Sequence, residues 1–228
     1  MSIWSTISKL ISNISKKGEQ LSKIFQKLKT PPEKTVGFTI AVIALSAKMA
    51  KADGIVTNEE VKAFRQVFYI PKNEEKNASM VFNLARKDVA GFEIYASKVN
   101  KMLYPNTKIL EELLEGLLHI ATSDGIYHPA ENHFIETVAK IFKIDQNKLN
   151  ILKSRYLPNE TINPFLILGV NPNWDMSIIK KKWQKLVREC HPDKYLAKGL
   201  PSEASVLASN RLLKINKAWE MIKHNKTT

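Results

Sequence analysis

The sequence predicts an all-α protein. Through most of the chain apolar residues recur three and four positions apart, the spacing that places them on one face of a helix. The alternation typical of half-buried strands is scarce, and most breaks between helical segments carry glycine, proline or aspartate. Its 228 residues suffice for one or two domains with buried cores. We therefore expect a helical bundle followed by a C-terminal helical hairpin.

Net charge and cysteine content limit which cellular compartments and which classes of partner are expected. The formal net charge of +13 suits nucleic acid, an anionic membrane surface or an acidic protein, without choosing among them. Cys190 is the only cysteine, so no intramolecular disulfide can form, as is usual in a reducing compartment. No apolar run reaches the ~20 residues of a spanning helix, and the N-terminus lacks the pattern of an export signal. We expect a cytoplasmic protein.

Residues 1–30 predict a basic amphipathic helix. Six lysines oppose a single acid, Glu19. Such a helix either lies on an anionic membrane leaflet, at the cytoplasmic face, or packs on the protein or on a second copy. Thr30-Pro31-Pro32-Glu33 ends the segment. Its apolar face consists of Ile3, Trp4, Ile7, Leu10, Ile11 and Ile14.

Residues 35–156 predict a bundle of helices. A weak internal repeat aligns 50–60 with 121–131, and each copy places Asp-Gly between two helices. Gly54 and Gly125 suit the left-handed position that ends a helix. The predicted helices cover 35–52, 58–68, 74–87, 91–103, 107–122, 129–142 and 145–156.

Acidic residues of the repeat allow two interpretations. Carboxylates are preferred ligands of hard cations, so a divalent metal could bind if the two copies converge. Helix capping and turn formation explain the same residues, and we favour that interpretation, in which no cofactor is required. The residues concerned are Asp53, Glu60, Asp124 and Glu131.

A turn-rich linker, residues 157–163, precedes a C-terminal unit that covers 164–228. There, His191-Pro192-Asp193-Lys194 separates a helix over about 175–190 from another over about 202–222. Pro192 cannot continue the first helix and favours an extended His191, so a rigid, exposed loop is expected. One face of that first helix is apolar, and another carries a basic stripe.

The C-terminal unit resembles the J domain of DnaJ-type co-chaperones. The resemblance rests on the His-Pro-Asp loop, on an opening at 165–170 similar to Tyr-x-x-Leu-Gly-Val, on a basic helix over 179–186 and on a helix end at 215–220. The flank at 197–201 is closer still to the DjlA branch. The Asp-Gly repeat resembles the TerB (tellurite resistance) fold, which DjlA-type proteins place before their J domain. Those proteins usually begin with a transmembrane helix, whereas this chain begins with the amphipathic segment.

The resemblance implies a co-chaperone that is not itself an enzyme. It would dock on a DnaK-class chaperone and stimulate ATP hydrolysis there, while the TerB-like bundle binds a client, a ligand or a second copy. The alternative is a membrane-associated stress or metal-response module that the J domain only tethers to a chaperone. Nucleic-acid binding ranks last, because no stacking aromatic residues are interleaved with the basic ones. The residues implied in docking are His191, Pro192, Asp193, Lys180, Lys181, Lys185 and Arg188.

Overall fold

The computed structural model describes residues 3–17, 20–21, 33–52, 70–88, 91–105, 107–157, 163–191, 194 and 205–227. Within these ranges all regular secondary structure is helical, which confirms the all-α prediction. The predicted helix over 58–68 and the linker residues 158–162 lie outside the described residues. The helices are α1 (Ile3–Lys17), α2 (Glu33–Ala52), α3 (Glu75–Lys87), α4 (Phe92–Leu103), α5 (Thr107–Ala121), α6 (Pro129–Ile141), α7 (Gln146–Tyr156), α8 (Pro164–Leu168), α9 (Met176–Glu189) and α10 (Ser205–Thr227), with a 3₁₀ turn at Lys72–Glu74.

Helix α2 is the centre of the larger of two apolar cores. Its side chains from 36 to 50 are all buried, and it packs against α1, α3, α4, α5 and α6. A helix that is apolar on every side is stable only when neighbours cover it all round. Its polar side chains find buried partners: Ser46 Oγ donates to the Val42 carbonyl at 2.8 Å, and Lys48 Nζ donates to the Asp88 carbonyl at 2.7 Å.

Helix α1 buries its apolar face in this core. Trp4 is 3% exposed, Ile7 and Ile11 are fully buried, and the helix packs on α2 and α3. Lys9 and Asn13, on its other side, are exposed. Of the two interpretations of residues 1–30, the structure shows the one in which the helix packs on the protein itself. Residues 22–30 lie outside the described part, and no described helix is long and apolar enough to cross a membrane.

The smaller core joins α8, α9 and α10. Trp183 of α9 stacks on Trp219 of α10, with ring centroids 5.0 Å apart, and its Nε1 donates to Asn216 Oδ1 at 3.0 Å. These contacts form the predicted hairpin, although α10 continues to Thr227, beyond the predicted end near residue 222. The remaining core positions are Ile167, Leu168, Val170, Ile179, Leu186, Cys190, Ile215, Ala218 and Ile222.

Truncating the docked face of α1 tests its place in the core. We expect Ile7→Ala to lower the free energy of unfolding by about 2–5 kcal/mol, because it leaves a cavity among buried side chains. Asn13→Ala, on the exposed side of the same helix, is the control and should change it by less than about 0.5 kcal/mol. Urea unfolding followed by circular dichroism measures both. Equal effects of the two variants would show that α1 is not docked in solution.

Candidate functional site

Helix α9 separates an apolar face from an exposed basic one. Ile179 and Leu186 are buried in the smaller core. The basic stripe, which we define as Lys180, Lys181, Lys185 and Arg188, is exposed along its whole length. A partner can therefore reach this row of positive charge without any rearrangement of the hairpin.

The stripe ends at the loop that begins with His191. The buried Cys190 ends α9, and its N–H donates to the Leu186 carbonyl at 3.0 Å. His191 is exposed, and its carbonyl accepts from the Lys194 N–H at 2.9 Å. Pro192 and Asp193, between them, lie outside the described residues. The docking loop predicted from sequence thus starts at the surface, directly after the basic stripe.

A buried ionic cluster joins the hairpin to the larger bundle. Glu115 of α5 lies between two guanidinium groups: Arg155 Nη1 is 3.3 Å from its Oε1, and Arg211 Nε is 3.5 Å from its Oε2. The exposed fraction of the side chain is 4% for Glu115, 2% for Arg155 and 9% for Arg211. Tyr156 OH donates to Glu115 Oε1 at 3.1 Å. We call these four residues with Lys214 the interdomain cluster.

The same cluster uses backbone carbonyls on both sides of the junction. Arg155, near the end of α7, donates from Nε and Nη2 to the Ile167 carbonyl of α8 at 3.3 and 3.2 Å. Lys214 of α10 donates to the Arg155 carbonyl at 2.8 Å. Ala208 of α10 is also part of the larger apolar core. Helices α8 and α10 are therefore fixed to the bundle, while the stripe of α9 stays exposed.

The charges of the cluster set its protonation. Burial raises the pKa of Glu115, but the guanidinium groups of Arg211 and Arg155 outweigh burial and hold it below its ordinary value. Burial lowers the pKa of Lys214 to about 8, and its Nζ lies 3.4 Å from the centroid of the Tyr156 ring. Glu115 is thus the anion that offsets buried positive charge at this junction.

Cys190 is a buried thiol that directly follows α9. Burial raises the pKa of its thiol, so the thiol stays protonated at neutral pH. Its position explains its presence: it is 1% exposed and packs in the smaller core at the end of α9.

The acidic residues of the repeat that the structure describes accept hydrogen bonds from backbone N–H groups. Asp124 Oδ1 accepts from the Ile126 N–H at 2.9 Å, and Glu131 Oε2 accepts from the His128 N–H at 2.9 Å, at the start of α6. Asp53 and Glu60 lie outside the described residues. In the part of the chain that the structure covers, no group of three His, Cys, Asp or Glu residues could hold a metal ion. The metal site stays a prediction.

Sequence reasoning missed the interdomain cluster. The sequence feature that could have revealed it is a charged residue at a helix position where the spacing predicts an apolar one. Glu115 lies within the Leu-rich run of α5 and is buried with it. Arg155 and Arg211 are likewise the buried cations of α7 and α10.

Comparison with known proteins gives two matches in order along the chain. Residues 39–154 match the family model of tellurite resistance protein TerB, and residues 163–227 match that of the DnaJ domain. This order confirms the resemblance found in the sequence.

Several similar proteins carry the name co-chaperone protein DjlA. The chain is 24% identical over 220 residues to that of Photobacterium profundum, covering 85% of this chain and 79% of the relative. It is 22% identical over 223 residues to that of Legionella pneumophila, covering 81% and 75%. With the Escherichia coli protein it shares 45% identity over 60 residues, which is 26% of this chain and 22% of the relative. No solved structure matches the chain significantly.

Removing the central carboxylate tests the interdomain cluster. At neutral pH we expect Glu115→Gln to lower the free energy of unfolding by about 3–5 kcal/mol, because two buried arginines lose their counter-ion. The same substitution at Glu136 is the control: that carboxylate is 49% exposed and pairs with Lys153 at 2.8 Å, so the change should stay below about 1 kcal/mol. Equal losses would contradict the role of the cluster.

The pH dependence gives a second readout of the same variant. The pKa of Glu115 is lower in the folded than in the unfolded chain, so its stabilisation is complete above the unfolded pKa and disappears as pH falls through the folded one. The difference between wild type and Glu115→Gln should therefore shrink as pH falls below the ordinary pKa of 4.5. Urea unfolding at a series of pH values measures it. A difference that grows toward acid pH would contradict the assignment.

Proposed function

Because the chain belongs to the family of tellurite resistance protein TerB and carries a DnaJ domain after that region, we propose that it is a J-domain co-chaperone that stimulates ATP hydrolysis by a DnaK-class chaperone. The observation that carries the proposal is the exposed basic stripe of α9, which leads directly into the exposed His191. The relatives named co-chaperone support it over most of the chain.

In this proposal the loop residues act on the partner, which supplies the catalytic groups. Asp193 brings a carboxylate to a basic group of the chaperone, Pro192 fixes the loop, and His191 orients it. The chain contributes binding energy that favours the hydrolysing state of the chaperone, so it shifts a population. The basic stripe accelerates encounter with an acidic surface, an effect that salt weakens.

The larger bundle is proposed to hold a client, a ligand or a second copy. The protein is proposed to be cytoplasmic, in keeping with its single reduced thiol. Peripheral membrane attachment through residues 1–30 would require α1 to leave the core, because Ile7 and Ile11 are fully buried there. The structure thus gives more support to the co-chaperone than to a membrane-associated stress or metal-response module.

The loop is tested by single-turnover ATP hydrolysis with a DnaK-class chaperone from the same cell. We expect the wild-type chain to accelerate hydrolysis and Asp193→Asn to abolish the acceleration, since the substitution removes one charge with little change of shape. Asp175→Asn is the control: Asp175 is exposed at the opposite end of α9, and its side chain makes no capping hydrogen bond. Unchanged hydrolysis in the presence of the wild-type chain would overturn the proposed function.

The stripe is tested by titrating the co-chaperone in the same assay. Lys181→Ala with Lys185→Ala should raise the concentration for half-maximal acceleration by roughly fivefold at low salt, with a smaller effect at high salt. The control removes two exposed lysines from α3, Lys76 and Lys87. If both double variants titrate like wild type, α9 does not steer docking.

A further inference from the structure

We propose that the larger bundle contributes a second contact for the chaperone, at the corner where α4 meets α5, and that this corner binds an acidic surface of the same partner that docks on α9. We define the α4–α5 corner as Lys101, Tyr104 and Lys108 with Lys143, which follows α6. The inference rests on the proposed function and assigns part of the docking surface to the TerB-like region.

The corner borders the end of α9. Lys108 Nζ lies 3.9 Å from Oε1 of Glu189, the last residue of α9. Glu189 directly follows Arg188 of the basic stripe and stands two positions before His191. A partner that covers the end of α9 and the loop therefore reaches the beginning of α5.

The corner has the composition of a binding surface. Tyr104 is 61% exposed. Tyrosine is enriched at the centres of protein interfaces, where its large side chain becomes buried. Lys143 Nζ lies 6.0 Å from the centroid of the Tyr104 ring. Lys101, one turn earlier on α4, is exposed as well.

The charge of the corner selects an acidic partner. Glu111, the next acid along α5 after Lys108, pairs with Lys148 at 2.8 Å. Glu189 faces Lys108 and is the acid at the seam with α9. The corner thus has a net positive charge, like the basic stripe. One acidic surface of the partner can therefore bind to both.

The interdomain cluster holds the two parts in register. Glu115 and Arg155 belong to the bundle and Arg211 to the hairpin, and all three are buried. Since the cluster fixes α10 on α5, the corner and the end of α9 keep one relative position before the partner arrives. A preformed second contact adds affinity without the entropy loss of ordering a flexible one.

Lys108→Ala with a matched control is the first test. The control is Lys223 of α10, which is 59% exposed and whose Nζ lies 3.6 Å from Glu220 Oε2. Lys108 is 60% exposed, and its Nζ lies 3.9 Å from Glu189 Oε1. Lys223 lies away from His191. Trp183, in the middle of α9, stacks on Trp219 of α10. Because the two helices of the hairpin run in opposite directions, Lys223, one turn after Trp219, lies near the start of α9. Lys108→Ala should raise the concentration for half-maximal acceleration of ATP hydrolysis, and Lys223→Ala should not.

Three of the four corner residues are removed together in the triple variant Tyr104→Ala, Lys108→Ala, Lys143→Ala. We expect this concentration to rise roughly threefold or more, with the maximal rate unchanged, because contacts beside the loop affect association and not the hydrolysis step. Lys143→Glu, a single exposed substitution, should raise it as well and does not depend on the fold of the triple variant. Circular dichroism checks that each variant is folded.

The outcomes separate the two proposals. If Asp193→Asn abolishes acceleration while the triple variant and Lys143→Glu titrate like wild type, the corner is not part of the docking surface and the co-chaperone function stands. If the wild-type chain does not accelerate hydrolysis, both proposals are overturned. A rise confined to the corner variants, and absent in Lys223→Ala, supports the second contact.

Discussion

The ion pairs of Glu115 with Arg155 and Arg211 determine how the two parts of the chain sit together. Two guanidinium groups and one carboxylate are withdrawn from water at this junction, which is favourable only when each charge has close partners. Here the partners come from α5, α7 and α10, and Arg155 also donates to the Ile167 carbonyl of α8. The polar contacts have a directional geometry that apolar packing lacks, so they favour one docking arrangement.

That arrangement divides the surface of the hairpin. Helix α8 accepts a hydrogen bond from Arg155 of the bundle, α10 places Arg211 beside Glu115, and the basic stripe of α9 is exposed. The side of a J domain that is implied in chaperone docking is thus exposed, while the opposite side is occupied by the TerB-like region. Part of α5 lies beside the end of α9, where Lys108 meets Glu189. The start of α5 and the end of α9 are therefore neighbours at the surface.

The features that could be predicted from the sequence are local. The two faces of α9 follow from three- and four-residue spacing, and the end of that helix before Pro192 follows from the missing N–H of proline. The spacing of apolar residues in α1 predicts which face is apolar. It does not predict whether lipid or protein covers that face, because both environments favour the same residue types. The interdomain cluster escaped prediction because Glu115 and Arg155 are 40 positions apart, so only the tertiary fold pairs them.

The interdomain cluster holds the bundle and the hairpin in one relative position. Cys190 is the only cysteine and is buried, so a Cys190→Ala chain labelled at Lys76→Cys and Lys185→Cys, both exposed positions, allows a spin-label distance measurement across the junction. We expect one narrow distance distribution, which broadens when Glu115→Ala removes the central carboxylate. A broad distribution already present before that substitution would contradict it.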